Sequence, residues 1–196
     1  MAATSTDHRR AKAERNVEAI LDAAERLLRQ RSQASIAGVA KEAGVSRVTV
    51  YAHFPTREEL IEAVVARSTR AANESIEGAK PGEGDPVEAL ERVITISWDE
   101  LERQEAIRQA AAEELSPEAV RRAHGSAAAT VRKLIERGRR VGAFRKDLPI
   151  EWLVACCFAL LHTAADEVRE HRIEPDDAMS AVKTTLIELF TSRPIT

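Results

Sequence analysis

Apolar residues recur at helical spacing through most of this 196-residue chain. Val17, Ile20, Leu21, Ala24, Leu27 and Leu28 share one face, which predicts a first helix over about residues 9–31. Two short helical pieces follow. Ser35 is placed to N-cap Ile36–Ala43, with Gly44 just past its end, and Ser46 to N-cap Arg47–His53. Pro55 closes that piece. Thr56-Arg57-Glu58-Glu59 is a capping box, and the helix it opens carries Leu60, Ile61, Val64 and Val65 before fading near Ile76.

Gly78-Ala79-Lys80-Pro81-Gly82-Glu83-Gly84 reads as a linker. Asp85-Pro86-Val87-Glu88 restarts a helix, with Asp at the cap and Pro at the first helical position. It runs through Leu90, Val93, Ile94, Trp98 and Leu101. A segment Glu105–Leu115 stops at Ser116-Pro117, and Ser116 caps a long helix towards Arg140 that Gly142 ends. Glu151–His171 is apolar around most of its girth, so it is buried on more than one side. Asp176–Phe190 is apolar on one face. No strand pattern or repeat is visible, and the expectation is an all-α protein of about nine helices. The expected division is a head over residues 1–55, a connector helix over 56–77 and a body over 78–196.

Composition agrees. Apolar residues make up 44% and aromatic residues 4%, and Gly and Pro are few, which suits long helices and excludes a turn-rich β fold. No apolar run reaches membrane-spanning length. The N-terminal residues lack the apolar core of a secretory signal, and the two cysteines are helix neighbours, Cys156-Cys157, which cannot bridge each other. A cytoplasmic, disulfide-free protein is expected. Buried cysteines are usually inert, and a redox sensor is the alternative reading of this pair. The five histidines (8, 53, 124, 162 and 171) lie at no metal-ligand spacing, and no phosphate loop follows a strand. Neither an enzyme, nor a metal, nor a cofactor is indicated.

Charge changes the picture more. The net charge is −3, but residues 1–57 hold 10 Lys+Arg against 6 Asp+Glu, so the remainder is acidic. A basic front suits a small nucleic-acid module. Residues 35–54 fit that role. Gly44 supplies a tight turn between two short helices, and Ile36, Val39, Ala40, Val45 and Val50 are placed to bury the face between them. This is the helix-turn-helix layout, whose second helix enters the major groove.

On that second helix Arg47, Val48, Thr49, Tyr51 and His53 are left over. Arg47 suits a guanine edge, with a phosphate contact as the alternative. Thr49 reaches a phosphate or a thymine methyl, while Tyr51 and His53 can donate to phosphates. Ser35, Ser46, Thr56 and Arg57 sit at helix N-termini, whose amides attract phosphate. Arg9, Arg10, Lys12 and Arg15 form a basic arm able to track the backbone, or simply a solvated tail.

These residues resemble the DNA-binding domain of the tetracycline-repressor (TetR) family of bacterial regulators. The resemblance runs over about residues 15–65, through Ile20-Leu21-Asp22-Ala23-Ala24, Val39-Ala40, Ala43-Gly44-Val45-Ser46, Thr49, Tyr51, His53-Phe54 and Glu58-Glu59-Leu60. The loop Arg31-Ser32-Gln33-Ala34 departs from the family's usual glycine and aromatic, Gly38 replaces a polar helix former, and Val50 replaces the commoner Leu. The resemblance implies a homodimer that binds a palindromic double-stranded operator and is released by a small-molecule effector held among the C-terminal helices.

Trp98, Leu101, Phe144, Trp152, Phe158 and His162 are the pocket candidates, with ordinary core as the competing reading. Asp166 and Glu167 would add charge for a cationic effector, or form a solvated helix end. Met179, Val182, Leu186 and Phe190 are the expected dimer face, against purely intramolecular packing. Two other functional classes remain at this stage. One is a regulator without a ligand, controlled by a protein partner. The other is a helical enzyme or carrier that keeps the helix-turn-helix only as structure.

Overall fold

Local side-chain capping sets five of the helix starts. The Ser35 side chain accepts from the Gly38 amide, Ser46 from Thr49, Thr56 from Glu59 and Ser116 from Ala119. Asp85 accepts from both Val87 and Glu88. Each cap satisfies amides that have no partner inside the helix and contributes about 1 kcal/mol. The computed structural model describes residues 2–30, 34–123 and 125–191, so the departing loop at 31–33 lies outside it. Ten helices follow: α1 (Ala2–Arg29), α2 (Ile36–Glu42), α3 (Arg47–His53), α4 (Arg57–Gly78), α5 (Pro86–Arg103), α6 (Glu105–Glu114), α7 (Pro117–Ala123), α8 (Gly125–Arg140), α9 (Ile150–Arg169) and α10 (Pro175–Thr191). Among the described residues there is no strand.

The chain forms two compact units. One holds residues 1–68 and 105–123, the other 69–104 and 124–196. The boundary therefore falls inside α4 rather than at the 78–84 segment, and α6 and α7 join the N-terminal unit. Their Ile107, Ala110, Ala111, Leu115 and Ala119 are buried with Ile20, Leu21, Val39, Val50, Leu60 and Ile61 in one core. Full burial of each large aliphatic chain contributes roughly 1.5–3 kcal/mol.

The long helix expected from Ser116 to Arg140 is two helices, which raises the count from nine to ten. Ala119 of α7 packs in the first core, whereas Ala127, Val131, Leu134 and Ile135 of α8 pack in the second. Gly125, a poor helix former, stands at the junction.

The 78–84 segment is not a loose linker. Arg92 donates to the Ala79, Lys80 and Glu83 carbonyls, and Arg137 donates to those of Gly84 and Pro81. Two guanidiniums thus hold a loop whose own sequence resists regular structure.

The second unit is built on α5, α8, α9 and α10. Val182, Leu186 and Phe190 are buried in its own core, and Met179 packs against it. This corrects the expected dimer face: α10 turns those four residues inward. Phe190 meets Phe144 edge to face, with ring centroids 5.5 Å apart. The Arg145 amide donates to the Phe190 carbonyl at 2.8 Å and fixes the end of α10.

Gly138 of α8 lies against Phe144. A Cβ there would stand 2.1 Å from Phe144 Cδ2. Gly138→Ala therefore lowers stability by about 1–3 kcal/mol, because overpacking outweighs the ~1 kcal/mol gain in helix propensity. Urea unfolding measures it, and a stabilised variant would show that Phe144 yields freely.

Candidate nucleic-acid interface

The turn between α2 and α3 is closed by its backbone. Gly44 adopts φ +67°, the left-handed region that disfavours a Cβ. Its amide donates to the Lys41 carbonyl at 3.3 Å, and the Val45 amide donates to that of Ala40 at 3.0 Å. This paired closure ends α2 and starts the chain towards Ser46. Val39, Ala40 and Val50 are buried, with Ile36 and Val45 packed against them, as the spacing predicts. Phe54 caps α3 and is buried too.

Burying Val50 and Phe54 fixes which face of α3 looks outward. Arg47 is exposed, Val48 is 78% exposed and Tyr51 52%. Ala52 shares that face at i+4 from Val48, a position the sequence reading passed over although the spacing marks it. Thr49 is half-buried, with its hydroxyl 2.8 Å from Ser46 Oγ. His53 is half-buried with its ring beside Phe54. Thr56 is exposed at the start of α4.

Two basic candidates sit differently from expectation. Arg57 is not an open phosphate contact: its Nε donates to Glu114 and its NH1 to the Ala34 carbonyl, at 3.0 and 2.9 Å. It clamps the loop before α2 to α6, a long-range role invisible in the sequence. The basic arm is helical, being the first turns of α1. Arg10 pairs with Glu14 at 3.1 Å in the open, while the side chain of Arg9 lies outside what is described. Behind α3, Arg67 of α4 pairs with Glu18, Asp22 and Glu25 on successive turns of α1. Burial alone would lower the pKa of this guanidinium, but the charges of Glu25 and Asp22 and the hydrogen bond to Asp22 outweigh it and raise it. These ion pairs tie α4 to α1.

The second unit holds a partly open cavity of about 90 Å³, several times the ~10–15 Å³ that one water needs. Of the pocket candidates, Leu101, Phe158 and His162 line it. Trp98, Phe144 and Trp152 do not. Trp98 is buried beside it in the core, with its indole N–H donating to Glu102 at 3.0 Å. Phe144 is core against Phe190. Trp152 is 57% exposed, because the buried face of α9 is Leu153, Val154, Cys157 and Leu161. Asp166 and Glu167 are paired with Arg169 and Arg172 at the end of α9 and lie outside the cavity wall. Cys157 lines the cavity, and burial pushes its thiol up to about 12, so it is a small apolar wall group.

The sequence reading missed five polar members of the cavity: Thr69, Asn73, Ser97, Glu100 and Gln104. A signal existed on α5. Ser97, Leu101 and Gln104 continue the stripe of Leu90, Val93 and Ile94, so polar residues occupy a core-facing row. No such signal marked Asn73, which lies on a helix read only as a connector.

Residues 20–64 match the family model described as bacterial regulatory proteins, tetR family. Among curated proteins, the HTH-type transcriptional repressor LfrR of Mycolicibacterium smegmatis is 37% identical over 86 residues, which is 44% of this chain and 46% of that protein. An uncharacterised HTH-type transcriptional regulator of Mycobacterium tuberculosis is 47% identical over 77 residues, 38% of this chain and 37% of that protein. The matched stretches thus span less than half of these relatives. Among solved structures, LfrR in complex with proflavine superposes with a TM-score of 0.64 at 27% identity, covering 93% of this chain and 98% of that one. The fatty acid degradation regulator FadR of Bacillus halodurans superposes at 0.73 and 17% identity, covering 87% and 97%, a likeness of fold alone.

Proposed function

We propose that the chain, whose residues 20–64 match the tetR family of bacterial regulatory proteins and whose all-helical fold matches that of LfrR, is a regulator of this family that controls transcription in the cytoplasm as a homodimer on a palindromic operator. The observation that carries this reading is the outward face of α3. An exposed Arg47, Val48 and Tyr51 on a buried-backed helix is a poor solvated surface and a good base-reading one. Arg47 and Tyr51 read bases or phosphates, and Thr49 and His53 flank them. Ser35, Ser46 and Thr56 offer hydroxyls and helix amides to phosphates, with Arg10 beyond them.

The second copy sits on the outward faces of α9 and α10. There Ala155, Ala159 and Thr163 on α9, and Ala181 and Thr184 on α10, are exposed small residues that allow close helix packing. Repression is relieved by a small molecule in the cavity. In support, the relative LfrR is named as a repressor and its structure holds proflavine. Helix α4 carries Leu60, Ile61, Val64 and Val65 in one core and Asn73 and Ile76 in the cavity wall. A ligand releases DNA only by as much as it prefers the non-operator state, typically about 1–3 kcal/mol.

The test is selection of duplex DNA from a random pool by the purified protein at a stated, near-physiological salt. A palindrome with half-sites about one helical turn or more apart is expected. Recovery of no consensus, with or without added cell extract, would overturn the reading.

A further inference from the structure

The cavity wall is apolar except at a few points, and those points are not balanced in charge. Among the described lining residues Glu100 is the sole acid, there is no lysine or arginine, and His162 is the sole basic side chain. The Glu100 side chain is only 12% exposed, whereas that of its partner Arg103, at 2.7 Å, is 58% exposed and screened by solvent. Burial pushes the Glu100 carboxyl up, but hydrogen bonds from Ser75, Arg103 and Gln104 and the charge of Arg103 outweigh it and hold the group below its ordinary value. A carboxylate has about four acceptor positions, so these donors do not exhaust it.

A second acceptor lies in the same wall. The Asn73 side-chain amide donates to Ser126, which leaves its Oδ1 buried without a hydrogen-bond partner. A buried acceptor without a donor is costly, and a ligand that brings an N–H removes that cost.

We propose that this cavity takes an apolar organic cation bearing N–H donors, with Glu100 as its counter-ion and Asn73 Oδ1 as an acceptor. The proposal rests on the cavity being the ligand site and adds the ligand's chemical class. Ile94, Leu101, Val131 and Phe158 supply the apolar bed for its body. Among the described lining residues an organic anion meets the Glu100 carboxylate and no lysine or arginine, with the His162 imidazole as the sole basic side chain, so it binds weakest. A neutral apolar molecule of the same shape fits but leaves both acceptors unserved.

Three probes that share one naphthalene ring test this: naphthylmethylammonium, naphthylmethanol and naphthoate. Each is titrated calorimetrically into the full chain without DNA, so operator release plays no part. The ammonium binds at least about tenfold tighter than the alcohol, and naphthoate binds weakest. Glu100→Gln brings the ammonium-to-alcohol ratio close to one. Arg103→Ala, at an exposed position that leaves the core untouched, raises the ratio by removing the competing cation. A ratio near one in the unaltered protein, or tightest binding by naphthoate, overturns the cation assignment while leaving the cavity as a ligand site. Heat from none of the three overturns both.

Discussion

Phe190→Ala destabilises the protein by about 3–5 kcal/mol, the cost of deleting a fully buried aromatic side chain and leaving a cavity that its neighbours only partly fill. Phe190 has no exposed surface, packs edge to face on Phe144, and ends the helix whose Val182 and Leu186 are also buried. Phe144 in turn shields Gly138 on α8, so the loss spreads through three elements. Chemical denaturation over widely separated protein concentrations measures it, and the same loss is expected at each. Ala159→Arg is the counterpart on the outward face of α9. It leaves each chain's core intact and converts the proposed homodimer to monomers in sedimentation. If Phe190→Ala instead stayed fully stable and became monomeric, Phe190 would belong to the subunit interface and not to the core.

Tyr51→Ala lowers operator affinity by about 10–100-fold, or roughly 1–3 kcal/mol, at fixed salt. Tyr51 is half exposed on α3 while its neighbour Val50 is buried, so its truncation changes stability by no more than about 0.5 kcal/mol. The loss is read by fluorescence anisotropy on the selected operator and on random duplex in the same buffer. A loss confined to the operator identifies a base contact, and an equal loss on both identifies a phosphate contact. Unchanged affinity for the operator would remove α3 as the reading element.

The sequence by itself determined what rests on neighbours a few residues apart. Ser35, Ser46, Thr56 and Asp85 cap helices because their partners lie two or three residues on. The Gly44 turn closes on Lys41 and Ala40, and the burial of Val39 and Val50 follows from helical period. That was enough to fix the all-α fold and the helix-turn-helix, and to point to the family that residues 20–64 match. Tertiary structure decided what depends on partners far along the chain. A stripe of apolar residues states that something covers it, but not what. Val182, Leu186 and Phe190 are covered by their own chain, Trp152 is left more than half exposed, and Trp98 and Phe144 are covered by core rather than cavity. Arg57 and Arg67 find partners 57 and 49 residues away in Glu114 and Glu18, and no local pattern announces them. The cavity draws on α4, α5, α8 and α9, so its composition emerges only when four separate helix faces meet. Hydrophobic burial is non-directional, and the choice among possible covers is made by packing the whole chain at once.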